Sequence, residues 1–266
     1  MKKYLSFFRI RFLNSLQYRA AAWAGISTQF AWGFLLILMF GAFYRTDPES
    51  FPMTYPQLVS YIWMQQAFFA LLNVYSTDNE IYDSIVSGNI AYELCRPMDL
   101  YLLWSLKTSA VRLAKVVLRC PPILLVAIFL PKPYRLILPD SWQQFGLFLM
   151  TMILGILAVI TIENLLYVIS MYTVSSQGVR IIYTSLAEFA SGGFIPLPFL
   201  PPMWQAVLEK LPFAAVQVPL RVYSGDLSGS QALEAIVLQV VWIAFLTVLN
   251  RFLLSRALGR IVVQGG

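Results

Sequence analysis

Long apolar runs, separated by short polar links, set the pattern of this chain. A membrane-crossing helix needs about 20 mostly apolar residues. The pattern predicts six spans, at residues 21–44, 58–76, 108–130, 144–172, 181–195 and 231–250. The third has the least distinct start and lies within 101–130. Residues 1–20 place Leu5, Phe8, Phe12 and Leu16 at helical spacing among Lys2, Lys3, Arg9, Arg11 and Arg19. A basic, amphipathic and aromatic stretch of this kind predicts a helix lying in the membrane interface. A signal peptide is the competing reading, and Arg9 and Arg11 oppose it by interrupting what would be its apolar core. The expected fold is all-α, one transmembrane domain over residues 1–266.

The stretch from Thr77 to Asp99 departs from this pattern. It carries five acids, Asp78, Glu80, Asp83, Glu93 and Asp99, between two apolar segments. Ile81, Ile85 and Val86 fall on one helical face. Ser87-Gly88 breaks the period, and Arg96-Pro97 stops the next piece. A short amphipathic helix facing water is one reading and an ordinary solvated loop is the other.

Composition narrows the class. The chain is 59% hydrophobic and 12% charged, where a soluble domain averages about 45–50% apolar and about 25% charged. This is a polytopic membrane protein, with no polar stretch long enough for a soluble catalytic domain. The net charge of +6 does not point to nucleic acid, because membrane proteins gather Lys and Arg at the cytosolic ends of their spans. Histidine is absent, which removes histidine-based general bases, Ser-His-Asp triads and nearly all zinc protease motifs. Cys95 and Cys120 cannot build a disulfide framework or a metal site and are expected as free thiols.

Six spans put both termini on one side, and basic residues choose the side. Termini inside gives fourteen cytosolic Lys and Arg against five outside: Arg45, Lys132, Arg135, Lys210 and Arg221. The termini and the 77–99 stretch are therefore expected in the cytosol of a cell with a cytoplasmic (inner) membrane.

Charges also fall within spans. Arg112, Lys115 and Arg119 share one helix face at i, i+3, i+7. Thirty residues make about 45 Å of helix against a hydrocarbon core of about 30 Å, so the start of this helix can project into the cytosol. Arg119 is expected near mid-depth, with Pro121-Pro122 kinking the helix just beyond it. Glu163 and Glu188 are acids within spans, and buried charges pair or face watery cavities. Counting depth predicts an Arg119–Glu188 pair and a looser contact of Glu163 with Arg112 or Lys115. Such pairs either only hold the bundle together or line a path for a polar, anionic head group.

Residues 191–225 hold Pro196, Pro198, Pro201 and Pro202, which exclude a continuous helix there. Met203–Leu211 can form a short helix. The segment must be an external cap or a re-entrant piece buried in protein, since unpaired backbone does not cross lipid.

These features together resemble the type-2 ABC exporter permeases. Local matches are SGNI at 87–90 followed by Arg96-Pro97, SGGFIP at 191–196, LPP at 200–202, LPF at 211–213, and Pro219 with Arg221 and Gly225. The closing RIVVQGG of 260–266 resembles a branch of permeases often encoded in pairs. The resemblance implies two permease subunits, identical or paralogous, each contacting a cytosolic ATPase subunit. It implies that 78–97 is the coupling helix, with Asp78, Glu80, Ile81, Asp83, Ile85, Gly88, Glu93, Arg96 and Pro97 in the coupling region. It implies no cofactor on this chain and ATP on its partner; no G-x-x-x-x-G-K-[ST] loop occurs in the sequence. A gradient-driven secondary transporter is the rival, although no convincing internal repeat is found. A membrane enzyme is disfavoured, since the chain lacks His and its acids are not paired within spans.

Overall fold

Apolar runs without internal breaks fold here as helices, several of them started by a polar residue at the N-terminus. The computed structural model describes residues 2–47, 49, 51–74, 76–173 and 176–259. The helices are α1 (Lys2–Leu16), α2 (Arg19–Thr46), α3 (Tyr55–Leu72), α4 (Asn79–Val86), α5 (Ile90–Leu94) and α6 (Leu100–Phe129), followed by α7 (Trp142–Ser170) and α8 (Ser176–Ala190). After these come the short α9 (Pro202–Leu208), α10 (Pro212–Ala215) and α11 (Val218–Ser224), then the long α12 (Gly229–Leu258). No strand occurs among the described residues. Thr54 and Gln57 form a capping box at α3, Asp99 caps α6 and Ser141 caps α7; each satisfies amide groups that would otherwise lack partners.

Among the described residues, α2, α7 and α12 are long and apolar enough to cross a membrane. The other three predicted spans have different characters. The helix α3 is 18 residues long and almost wholly buried. The helix α6 runs 30 residues, helical through Pro121 and Pro122, and carries Lys107, Arg112, Lys115 and Arg119. The helix α8 has 15 residues.

Two predicted boundaries move. The sequence extends the second span to 76, but α3 ends at Leu72, where Asn73 turns outward and its Oδ1 accepts the Ser76 amide at 2.9 Å. The sequence places the fifth at 181–195, but its helix starts at Ser176 and ends at Ala190. Gly192, at φ +75°, terminates it in a conformation that suits glycine. Residues of the expected polar link before it are thus helical from 176 onward; Ser175 lies outside the described residues, as does the closing 260–266 motif.

The centre of the bundle is α3. Trp63 is fully buried beside Phe30 and Phe34 of α2, with ring centroids at 6.0 and 5.2 Å. Its indole Nε1 donates to Tyr134 O at 2.8 Å. The helices α2, α6 and α11 pack around α3, and α12 lies against α7. Outward faces stay apolar: Leu35, Leu38 and Phe43 on α2, Leu233, Val237 and Val241 on α12. Between lipid-soluble helices, close packing and internal hydrogen bonds hold the bundle.

The later part of the proline-rich stretch, residues 214–224, is buried in protein, while α9 before it is largely exposed. Every residue of α11 is buried. Its freed carbonyls are met by side chains: Gln144 Nε2 donates to Val222 O (3.1 Å) and Tyr223 O (2.9 Å), and Gln239 Nε2 to Ala215 O (2.7 Å). Side-chain partners of this kind are what irregular backbone needs where water is excluded. The expected helix at Met203–Leu211 is shorter, Pro202–Leu208, because Pro212 begins a separate turn.

Candidate functional site

The stretch between α3 and α6 is built as a two-faced platform. Asp78 caps α4, its Oδ1 accepting the Glu80 amide at 2.8 Å. The inner face of α4 is Ile81, Tyr82 and Ile85, with Ile81 fully buried. The sequence pattern puts Val86 on that face too, but it is 68% exposed. One hundred degrees per residue carries position 86 past the edge of a stripe centred on 81 and 82. Gly88, at φ +75°, turns the chain into α5. From α5, Ile90 faces inward, and Tyr92 and Leu94 are exposed at 74% and 40%.

The acids divide in the same way. Glu93 Oε2 accepts from Trp104 Nε1 at 2.9 Å. Glu80 meets Lys107 Nζ at 2.8 Å and Arg11 Nη1 at 2.9 Å, which joins α4 to both α6 and α1. Lys107 also reaches Asp78 at 3.7 Å. The Lys107 hydrogen bond holds the Glu80 carboxyl below its ordinary value; partial burial opposes this and Arg11 adds to it. Asp83, Arg96 and Pro97 remain at the surface. The helix α1 is strapped to the same platform: Tyr4 Oη accepts the Asp99 amide at 3.2 Å, and Lys3 Nζ donates to Pro97 O.

Arg112 ties this platform to the bundle. It is buried, with Nη2 at 2.8 Å from Glu163 Oε1 and Nε at 3.2 Å from Glu163 Oε2, a two-pronged pair. The same guanidinium donates to Leu71 O (3.0 Å) and Ala70 O (3.4 Å) at the end of α3, and to Ser76 O (2.8 Å) beyond it. A cation there satisfies carbonyls that a helix end leaves open and matches the dipole. Two tyrosines fix the same linker: Tyr183 Oη donates to Val74 O at 2.7 Å, and Tyr167 Oη accepts the Asp78 amide at 2.9 Å. The expected Glu163 contact therefore forms with Arg112, as a tight pair.

The expected Arg119–Glu188 pair does not form. Arg119 Nη2 donates to Ala21 O at 3.2 Å, and its guanidinium lies against Gly25, leaving no room for a Cβ there. It therefore sits beside the first turns of α2. Glu188 lines a separate cavity of about 260 Å³ with Trp32, Leu36, Gln65 and Gln66. Positions 32–36 lie about 10–17 Å further along α2 than position 25, which is too far for contact. Lys115 is exposed and lines a cavity of about 400 Å³ that Arg119 also borders.

A second ionic knot lies outside what the spacing predicts. Arg221 pairs with Glu209 at 2.6 Å and with Asp226 at 2.5 Å, clamping the proline-rich stretch. The three charges fall close together in sequence around the end of that stretch, and that grouping is its one visible signal. Cys95 is exposed and Cys120 buried, both free. Among the described residues no group of acids, Cys or His could hold a metal.

No curated protein matches the chain. The family model of the ABC-2 family transporter protein matches residues 30–265. With that match spanning nearly the whole of an all-helical, lipid-compatible bundle, the chain belongs to the ABC-2 family, the membrane permeases of ABC transporters.

Proposed function

We propose that this chain is the permease subunit of an ABC exporter, crossing the cytoplasmic membrane six times with both termini in the cytosol. The passes are α2, α3, α6, α7, α8 and α12. Two permeases, identical or paralogous, form the substrate path, and separate cytosolic ATPase subunits bind the ATP. The platform of α4 and α5 rests on the ATPase, and closure of the ATPases drives the permeases between inward- and outward-facing states.

The observation that carries the coupling role is the division of the 79–97 stretch. Its inner face is locked to α6 and α7, while Val86, Tyr92 and Leu94 are presented outward. A large aromatic and two aliphatics exposed together, with Asp83 and Arg96 beside them, suit a docking surface. Arg112 then links that surface to α3 and α7, so a push on α4 has a rigid route into the bundle.

Affinity purification of the tagged protein from its native membranes in mild detergent tests this reading, with mass spectrometry of the co-purifying proteins. An ABC ATPase is expected with the natural protein. It is expected to be lost from a Val86→Asp, Tyr92→Ala variant whose thermal unfolding is unchanged. If the protein comes out stable and alone from every detergent tried, the ATP-driven reading fails and gradient-driven transport takes its place.

A further inference from the structure

The cavity of about 400 Å³ between α1, α2 and α6 holds more positive charge than the platform needs. Its three carboxylates, Asp78, Glu80 and Glu163, are each taken by Lys107, Arg11 or Arg112. Two cations on its wall are left over. Lys115 has no carboxylate within ion-pair distance among the described residues, and Arg119 has a buried Nε with no hydrogen-bond partner. They stand four residues apart on α6, one above the other on the same face. Two like charges held one turn apart repel each other, and an unpaired buried guanidinium nitrogen is costly. An anion held between them relieves the repulsion and gives the guanidinium a counter-charge.

We propose that Lys115 and Arg119 bind a phosphate-bearing group in this cleft. A guanidinium beside a compact ammonium suits phosphate oxygens. The depth suits a membrane lipid. Arg119 lies beside Ala21 and Gly25 in the first turns of α2. The neighbouring α1 buries no residue and exposes Leu5, Ile10 and Leu13, as a helix lying in the headgroup layer does. Basic pockets between helices at this level accept anionic head groups. This inference goes beyond the exporter reading and does not depend on an ATPase partner.

Native mass spectrometry of the purified full-length protein in neutral detergent tests it with three probes: phosphatidylglycerol, diacylglycerol with the same acyl chains, and inorganic phosphate. Phosphatidylglycerol is expected to bind and diacylglycerol not. The Lys115→Gln, Arg119→Gln variant should bind phosphatidylglycerol at least about tenfold more weakly, the loss expected for charge-assisted hydrogen bonds. The single variant Lys115→Gln changes only an exposed residue, so a weakened site there is not a folding defect. Gly25→Ala keeps both charges but pushes the Arg119 guanidinium aside, and it should weaken binding too. Arg135→Gln, on a distant exposed loop, should change nothing. If inorganic phosphate binds the natural protein and not the double variant while phosphatidylglycerol binds both alike, the site stands and its ligand is a soluble phosphate compound. If the double and single variants bind every probe as the natural protein does, the proposal is overturned.

Discussion

At the scale of single residues, Arg112 matters most because one guanidinium answers four acceptors. Removing it leaves a buried Glu163 carboxylate uncompensated and frees carbonyls of Ala70, Leu71 and Ser76. Breaking one side of a buried pair costs about 3–5 kcal/mol. Arg112→Met is expected to lower the thermal unfolding temperature sharply in detergent. Arg112→Met with Glu163→Met should recover part of that loss, since the lone carboxylate is gone, but not all, since the three carbonyls stay unpaired. Full recovery would show that the carbonyl contacts contribute nothing. Glu80 has a different role, at the surface. Its folded-state carboxyl titrates below its ordinary value of 4.5. The ion pairs it makes therefore stabilise the fold above that value and are lost as pH falls through the lower, folded one. Glu80 itself is largely exposed although Lys107 is buried, so solvent screens the pairs and they contribute about 1 kcal/mol or less. Glu80→Gln should loosen α1 at neutral pH, read as faster protease cleavage near Leu16, and the difference from the natural protein should shrink as pH falls below 4.5. The sequence allows Glu163 to be matched with Arg112 because both depths can be counted from nearby span ends. It does not place Arg119, because the sequence does not show which part of α2 packs against α6: the guanidinium meets Ala21 and Gly25, while Glu188 lies by Trp32 and Leu36.

At the scale of elements, the platform of α4 and α5 shows how a short amphipathic helix gets its order from its neighbours. Eight residues cannot hold a helix alone in water. Here Asp78 caps the first turn, and Ile81 and Tyr82 pack in one cluster with Tyr167, with ring centroids of the two tyrosines at 5.2 Å. Removing the buried side of this element and removing its exposed side should have different effects. Ile81→Ala removes a fully buried side chain, and large-to-small changes of this type cost about 2–5 kcal/mol. It should lower unfolding temperature and ATPase recovery together. Val86→Asp should lower ATPase recovery alone. If Val86→Asp also unfolds the protein, the outward face is structural and the docking role fails. The chemistry of this element is legible in its charge and spacing, but its orientation is not. Ile81, Ile85 and Val86 span about 140° of a helical wheel, and the position of Tyr167 and Trp104 decides that the Ile81 side of that arc is covered and the Val86 side is not. The same limit applies to α8. Its first turn, SQGVR, has the composition of a link and folds as helix, and Arg180 stacks over Tyr82 with 5.3 Å to the ring centroid.

At the scale of the whole molecule, the described helices divide between two tasks. The helices α2, α7, α8, α12 and the second half of α6 carry apolar outer faces, while α3 and α11 form a buried interior braced by polar side chains. That division explains why apolar length alone marks only three helices as membrane-crossing: an interior helix surrounded by protein can carry Gln57, Gln65 and Gln66. It also gives α6 its mixed character. Its first half stands beside the platform with charges on one face, and its second half, past Arg119, is apolar through Phe129. The proposed topology therefore makes α6 a pillar that starts in the cytosol and ends outside, and the chain's own cysteines test it. Cys95 is exposed beside α5, and Cys120 is buried within α6. A membrane-impermeant maleimide should label the natural protein in inside-out vesicles and not in intact cells, and Cys95→Ser should abolish that labelling. In the Cys95→Ser background, Lys132→Cys introduces a thiol just beyond the far end of α6, on an exposed turn. That variant should be labelled in intact cells. Labelling of Cys95 and of the thiol introduced by Lys132→Cys from the same side would mean that α6 does not cross the membrane, and the six-pass arrangement would have to be abandoned even though the ABC-2 membership would stand.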